Sequence, residues 1–354
     1  MLFQFEGVRI SALSAAVPLN ELRYDDDALN YNFPLKKSMK LKELMGYDRH
    51  RVALPGQCSS DFAAAALGEA MDRSGTRRED IGALVCVTQS PDYFIPPTSS
   101  IVQTSLGLPE DILCVDMNQG CAGFVCGLFQ AFSMLRGAGV GKVAVVCADV
   151  LSKKVNPRDR NSHPLIGDAG AAAIVENSPD SGRAFCFSRV FGKSAFDITI
   201  PAGGFKTPSS PETALEAEDC DGNLRSLDNL VMNGASVFGF VQEKVPEMAD
   251  ELLAYSGLSK DDIDAYAFHQ PNRFMLEKLA DRMGVPHGKM PNNIVGLYGN
   301  SSSATIPVNI CKNYAESLSS GEMTVMLGGF GAGLTLAGII MKLGPLNSCS
   351  LIEI

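Results

Sequence analysis

Apolar and polar positions follow two recurring patterns along the chain. Runs such as Leu84-Val85-Cys86-Val87 and Val143-Ala144-Val145-Val146 are short and continuously apolar, as strands buried on both faces are. Longer stretches carry apolar residues every three or four positions and predict helices: Ala63–Arg73, Ala122–Leu135, Val245–Tyr255 and Ile306–Leu318. Two of these stop at a glycine, Gly75 and Gly257, the residue that most easily takes the left-handed conformation closing a helix. In both places a polar turn follows, Thr76–Asp80 or Leu258–Asp262, and then a strand-like run, Leu84–Val87 or Tyr266–Phe268.

These two blocks stand about 180 residues apart, and a second pair repeats the offset. Gly141-Lys142-Val143-Ala144-Val145-Val146 matches Gly321-Glu322-Met323-Thr324-Val325-Met326, each a strand after a helix. Two matches in one order indicate a duplicated body. Each half reads β–α–β–α–β, which predicts mostly parallel sheets covered by helices in an α/β fold. The polar run Glu176–Gly182, with its Pro and Gly, marks the junction. The halves are therefore assigned to residues 1–178 and 179–354.

Composition acts mainly by exclusion. A net charge of −10 argues against nucleic acid as an electrostatic partner. The ten cysteines show no paired spacing and lie mostly in apolar runs, where a free thiol packs as a small hydrophobe; a reducing cytoplasm is the expected location. Four scattered histidines supply no zinc-type spacing, so no metal is expected. No stretch approaches the roughly 20 apolar residues of a membrane span, and Met1–Glu6 lacks the pattern of a secretory leader. The acidic cluster in Ala202–Arg225 reads as a solvated loop. Lys36, Lys37, Lys40 and Lys42 form a basic helix face, solvated or in contact with a phosphate-bearing ligand.

Three turns carry chemistry. In Asn118-Gln119-Gly120-Cys121-Ala122-Gly123, a strand ends in a tight turn and a helix begins at a cysteine. The positive helix end there favours thiolate, and small neighbours admit a substrate carbonyl. In Phe268-His269-Gln270-Pro271-Asn272, His269 leaves its strand where Val87-Thr88 leaves the equivalent one. In Tyr298-Gly299-Asn300-Ser301, the repeat sets Ser301 on Cys121, so Asn300 occupies the matching turn of the second half. Two such turns related by pseudo-symmetry face one another, which lets Cys, His and Asn converge as a nucleophilic site.

With these residues in hand, the chain resembles the thiolase superfamily and, within it, the 3-oxoacyl-acyl-carrier-protein synthase III family. The resemblance rests on Arg49–Ala53, Pro91-Asp92-Tyr93, Gly120-Cys121-Ala122-Gly123-Phe124, Gly167-Asp168-Ala169-Gly170-Ala171, His269–Asn272, Tyr298–Ser302 and Gly328-Gly329-Phe330. It implies a five-layered αβαβα fold, a homodimer, and a Cys121–His269–Asn300 triad. It further implies an oxyanion hole from the Cys121 and Gly328 N–H groups, and substrate contacts at Arg160, Asn272, Ile95 and Met326. The implied reaction is acylation of Cys121 followed by decarboxylative condensation with a malonyl thioester. Coenzyme A or acyl-carrier-protein thioesters are the implied substrates, and no resident cofactor is implied.

Departures bear on the donor more than on catalysis. The family commonly stacks the coenzyme adenine on a tryptophan near residue 40; this chain has none, and Lys36–Leu44 carries lysines and leucines there. A carrier-protein donor is therefore expected, with Tyr47 as the alternative platform for coenzyme A. Gly329–Thr335 leans towards the ending of chalcone-synthase-like polyketide synthases, so fatty-acid and polyketide roles both stay open. So do acyl transfer to an alcohol or amine with His269 as base, and a non-catalytic subunit of a condensing pair.

Overall fold

In a computed structural model describing residues 1–354, the first half carries β1 (Leu2–Glu6), β2 (Val8–Val17) and β3 (Glu21–Arg23), then α1 (Tyr24–Asp27), α2 (Leu35–Met45) and β4 (Arg49–Arg51). There follow α3 (Ser59–Ser74), β5 (Ile81–Val87), α4 (Thr98–Leu106), β6 (Leu113–Met117), α5 (Gly123–Gly137), β7 (Lys142–Asp149) and β8 (Ala169–Asn177). The second half has β9 (Arg183–Val190), two short ribbons built from β10 (Ile198–Thr199), β11 (Ala217–Glu218), β12 (Leu224–Arg225) and β13 (Val231–Met232), and α6 (Gly234–Ser256). It continues with β14 (Ala265–Phe268), α7 (Arg273–Met283), α8 (Ile294–Tyr298), α9 (Thr305–Asn313) and α10 (Ala315–Ser320). The chain ends in β15 (Met323–Gly331), β16 (Thr335–Leu343) and β17 (Ser348–Glu353).

The glycine-stopped helices form as expected. Gly75 and Gly257 close α3 and α6 with φ of 70° and 74°. The helix expected over Ile306–Leu318 instead breaks at Tyr314 into α9 and α10.

The duplication is visible in strand order. One sheet runs β17-β2-β8-β7-β5-β6 and the other β1-β9-β16-β15-β14. Pairing β2 with β9, β8 with β16, β7 with β15 and β5 with β14 gives the same order twice. The same links are parallel, β5–β7 and β14–β15, and the same links antiparallel. The sheets are thus mixed rather than mostly parallel. After its parallel crossover each half reverses direction, β15 turning directly into β16 and β7 returning as β8 through the longer segment 150–168, so both pairs are antiparallel.

The boundary at residue 178 does not divide the sheets either. β1 pairs with β9 in the second sheet, and β17 pairs with β2 in the first, so each half lends its terminal strand to the other.

Alternation along the strands builds the layers. On β7, Val143, Val145 and Cys147 enter a central core with α5 and α9, while Ala144, Val146 and Ala148 face α3. On β15, Val325 and Leu327 enter the same central core, while Met326 and Phe330 face α6 and α7. The result is the αβαβα sandwich, with α5 and α9 between the two sheets. No helix is long and apolar enough to cross a membrane.

Candidate active site

The turn between β6 and α5 is shaped by close packing. A Cβ on Gly329 would fall 2.6 Å from the Ala122 Cα, and one on Gly331 2.5 Å from the Cys121 Sγ. Only glycine lets the end of β15 lie this near the thiol. Ser303 and Gly123 touch across the middle of the molecule, so the two equivalent turns of the halves do face each other.

Burial pushes the Cys121 thiol above its ordinary pKa; the Ala332 N–H and the Ser302 hydroxyl, both hydrogen-bonded to it, pull it back, and the Asp149 charge adds to the rise. The expected helix-dipole activation is outweighed. A dipole contributes about 0.3–1 kcal/mol, less than one pKa unit, whereas burial moves a pKa by several units. At rest Cys121 is a thiol.

His269 leaves β14 with its N–H donating to the Gly328 carbonyl at 2.8 Å. Its Nδ1 lies 2.7 Å from the Thr305 hydroxyl. Burial lowers its pKa to about 3, opposed only by the Ser302 carbonyl, so the ring is neutral. Asn300 is clamped by its backbone: its N–H donates to Leu165 O at 2.7 Å, and its carbonyl accepts from Gly167 N at 3.2 Å. Its side-chain oxygen accepts from Ser302 N at 2.9 Å, which leaves the amide NH2 for a ligand.

Cys121, His269 and Asn300 line one small cavity of about 50 Å³ with Asn272, Phe330 and Gly331. Two larger spaces meet there. One of about 240 Å³ has Cys121 and Asn300 on its wall, with Leu151, Ile166, Ile198 and Leu230. The other, of about 280 Å³, runs past Leu165, Met232 and Asn272 to Arg160 and Met45.

The remaining expected residues divide. Arg160 and Asn272 line the second space, and the Asn272 side chain also caps α7 by accepting from Met275 N at 2.8 Å. Met326 is fully buried in the outer core with Tyr266 and Phe268; it shares a face of β15 with Phe330 but lies short of the strand end where Phe330 reaches the cavity. Gly328 sits inside the sheet between Phe268 and Gly338, so the N–H facing the thiol is that of Ala332 instead. Ile95 lines none of the three spaces and is exposed. Tyr47 lines the second space but is largely buried, with its ring stacked on Tyr24. The Arg160 guanidinium lies 4.4 Å above the Phe33 ring.

Asp149, at the end of β7, escaped the sequence reading, although an acid closing the apolar run Val145-Val146-Cys147-Ala148 is itself a sign of a buried charge. Its carboxylate accepts from Gln89 N at 2.7 Å and from the Ser90, Thr88 and Ser303 hydroxyls at 3.2, 3.3 and 3.3 Å. It ties the ends of β5 and β7 to the turn before α9. Burial raises its pKa from 3.8 to about 6 against these donors. A raised folded-state pKa means that this group's stabilising contribution is complete below about pH 4 and lost as pH climbs through 6. A shift of about two units is worth roughly 3 kcal/mol. Asp149→Asn, which cannot accept all four bonds, is expected to be less stable than wild type, by a margin that narrows between pH 4 and 7. Urea midpoints of both proteins at the two pH values test this, and a margin independent of pH contradicts it.

Known proteins match this arrangement. The sequence profile described as 3-oxoacyl-[acyl-carrier-protein (ACP)] synthase III matches residues 115–193, and that of its C-terminal part matches residues 253–343. A beta-ketoacyl-[acyl-carrier-protein] synthase III of Symbiobacterium thermophilum is 32% identical over 303 residues, 84% of this chain and 88% of the relative. One from Caldanaerobacter subterraneus is 30% identical over 318 residues, covering 88% and 92%. The crystal structure of a 3-oxoacyl-(acyl-carrier protein) synthase from Burkholderia xenovorans LB400 superposes with a TM-score of 0.92 at 30% identity, covering 100% of this chain and 99% of that one.

Proposed function

Since the chain belongs to the 3-oxoacyl-[acyl-carrier-protein] synthase III family, we propose that it condenses thioesters in two stages through an acyl group carried on Cys121. The observation that carries this reading is the meeting of Cys121, His269 and Asn300, drawn from both halves, on one cavity wall. In the first stage the Cys121 sulfur attacks the acyl carbonyl, and the departing donor thiol takes up the proton. The Cys121 and Ala332 N–H groups hold the oxyanion. In the second stage a malonyl thioester loses carbon dioxide. His269 and the Asn300 amide donate to the enolate oxygen, and the enolate carbon attacks the acyl-Cys121. A carbon–carbon bond forms, the sulfur leaves, and one solvent proton restores the thiol.

The neutral His269 favours condensation over acyl transfer to an alcohol or amine. A ring with a pKa near 3 is a poor general base at neutral pH but remains a good donor. That role needs the proton on Nε2, which the ring can keep when the Thr305 hydroxyl turns from the Ser302 carbonyl, 3.0 Å away, to donate to Nδ1. The test is release of carbon dioxide from a malonyl thioester together with a 3-oxoacyl product. An ester or amide formed without carbon dioxide defeats the reading.

The donor arm enters through the space ending at Arg160. Arg160 is pinned by the Asp221 carbonyl and by Asn223 Oδ1 at 3.1 Å, and it already covers Phe33. The flat ring is thus occupied, and an adenine must displace a guanidinium to stack on it. We keep the carrier-protein thioester as the preferred donor. Its kcat/KM is expected to exceed that of the coenzyme A thioester of the same acyl group by about tenfold, on the order of one lost stacking contact. A preference for coenzyme A overturns this.

A homodimer is part of the proposal. β6 is an unpaired sheet edge, and Tyr93, Phe94, Ile95 and Phe205 form an exposed apolar group with the two phenyl rings 5.4 Å apart. Light scattering at micromolar concentration is expected to give twice the mass of the chain; a monomer mass contradicts the proposal.

A further inference from the structure

Beside the Asn300 turn lies a polar cluster that the proposed reaction does not use. Asp27, Tyr31, His50 and His163 are 7%, 6%, 2% and 8% exposed. His50 Nε2 stands 3.1 Å from Asp27 Oδ2, and its Nδ1 stands 2.6 Å from the Ile166 carbonyl. The His50 ring thus bridges the Asp27 carboxyl and the Ile166 carbonyl, which accepts from Nδ1–H. Burial lowers the proton affinity of His163, Asp27 pulls it up, and His50 lowers it again. The His163 Nδ1 accepts the Tyr31 hydroxyl at 3.2 Å and lies 3.8 Å from Asp27. Asp and two His at these separations resemble a metal site. Every nitrogen facing another member of the cluster already has a hydrogen-bond partner, however, and the cluster is closed by protons.

What His50 holds is the Ile166 carbonyl. Leu165, Ile166 and Gly167 are the segment to which both backbone groups of Asn300 are bonded, as a single parallel bridge. His50 also packs against the residue before it: a Cβ on Gly299 would lie 3.0 Å from the His50 Cβ. We infer that His50, held between Asp27 and the Ile166 carbonyl, is the positioning residue for Asn300. A short hydrogen bond fixes the 165–167 segment, and the segment fixes the depth at which the Asn300 amide meets the enolate oxygen. Donors to a developing charge work only within about 0.5 Å of their place. The inference rests on the reading of Asn300 as an enolate donor.

His50→Gln tests it. The amide nitrogen still donates to Ile166, but the amide oxygen then faces the Asp27 carboxylate, acceptor against acceptor. The kcat for malonyl decarboxylation is expected to fall about tenfold, the size of effect that supporting hydrogen bonds have on the groups they orient. KM and the rate of Cys121 acylation should stay within about twofold. Adding Asp27→Asn offers an NH2 to that oxygen and is expected to recover most of the lost kcat, which a general loss of stability would not do. Circular dichroism and Tm confirm that both variants fold. Asn300→Ala is measured beside them. If it leaves decarboxylation intact, the reading of Asn300 fails and takes this inference with it. If it abolishes decarboxylation while His50→Gln behaves as wild type, only the inference is overturned. A loss shared equally by acylation, or a double variant without recovery, also overturns it.

Discussion

Cys121→Ala is expected to abolish condensation, with turnover down by on the order of 10⁴-fold or more, the scale of nucleophile loss in a covalent mechanism. The cysteines in the cores are poor substitutes. Cys86, Cys147, Cys186 and Cys311 are buried there; burial raises the pKa of the first three, and at Cys311 the neighbouring Cys349 raises it most, with burial adding to the rise. Cys126 is pushed to about 11 by burial alone. Cys220 is exposed on the loop between β11 and β12 and has no donor aimed at it, so a general alkylating reagent finds it without its being part of the reaction. Mass spectrometry after incubation with acyl thioesters should show one acyl adduct, mapped to Cys121 and missing in the variant. An acyl adduct on Cys126 or Cys311 that survives in Cys121→Ala ends the assignment.

His269→Ala and Asn300→Ala should separate the two stages. Acylation of Cys121 depends on backbone donors, the Ala332 and Cys121 N–H groups, which neither change removes. Enolate formation depends on the two side chains. Loss of one donor to a developing oxyanion costs about 10²–10³-fold, so decarboxylation should fall by that factor in each variant. The double variant should lose less than the product of the two, since both donors serve one oxygen. Labelled acyl transfer to Cys121 should fall about tenfold at most. Decarboxylation at the wild-type rate in both variants would rule out the condensing mechanism on these residues. The pH profile gives a second check. With the His269 pKa held near 3 by burial, no loss of decarboxylation assignable to this ring should appear as pH falls from 7 to 5.

Much of the architecture is written in local pattern. Glycine stops on α3 and α6, the continuously apolar β5 and β7, and the repeated offset between them are properties of short windows, and they predict the duplicated halves and the turn at Cys121. The turns that meet at the cavity were legible to the same depth, because those of His269 and Asn300 each have a counterpart in the first half, at Thr88 and Cys121. Errors arose where a residue's setting depends on chains remote in sequence. Met326 and Phe330 lie on one strand and one face, yet only Phe330 reaches the cavity wall, because β15 meets the Cys121 turn at its end rather than its middle. The backbone N–H facing the Cys121 sulfur is that of Ala332 rather than Gly328 for the same reason: interior strand N–H groups are committed to the ladder, and the first one beyond the strand is not.

The sequence alone thus determined which segments become strands and helices, that the body is doubled, and which cysteine opens a helix after a tight turn; those depend on backbone preference and on the period of apolar residues. The tertiary structure alone decided the exchange of β1 and β17 between sheets, the charge states of Cys121, His269 and Asp149, and the pairing of Asp27 with His50 that links residue 27 to residue 166. Proton affinity is set by how much water burial removes and by which dipoles replace it, and neither quantity exists until distant segments have packed.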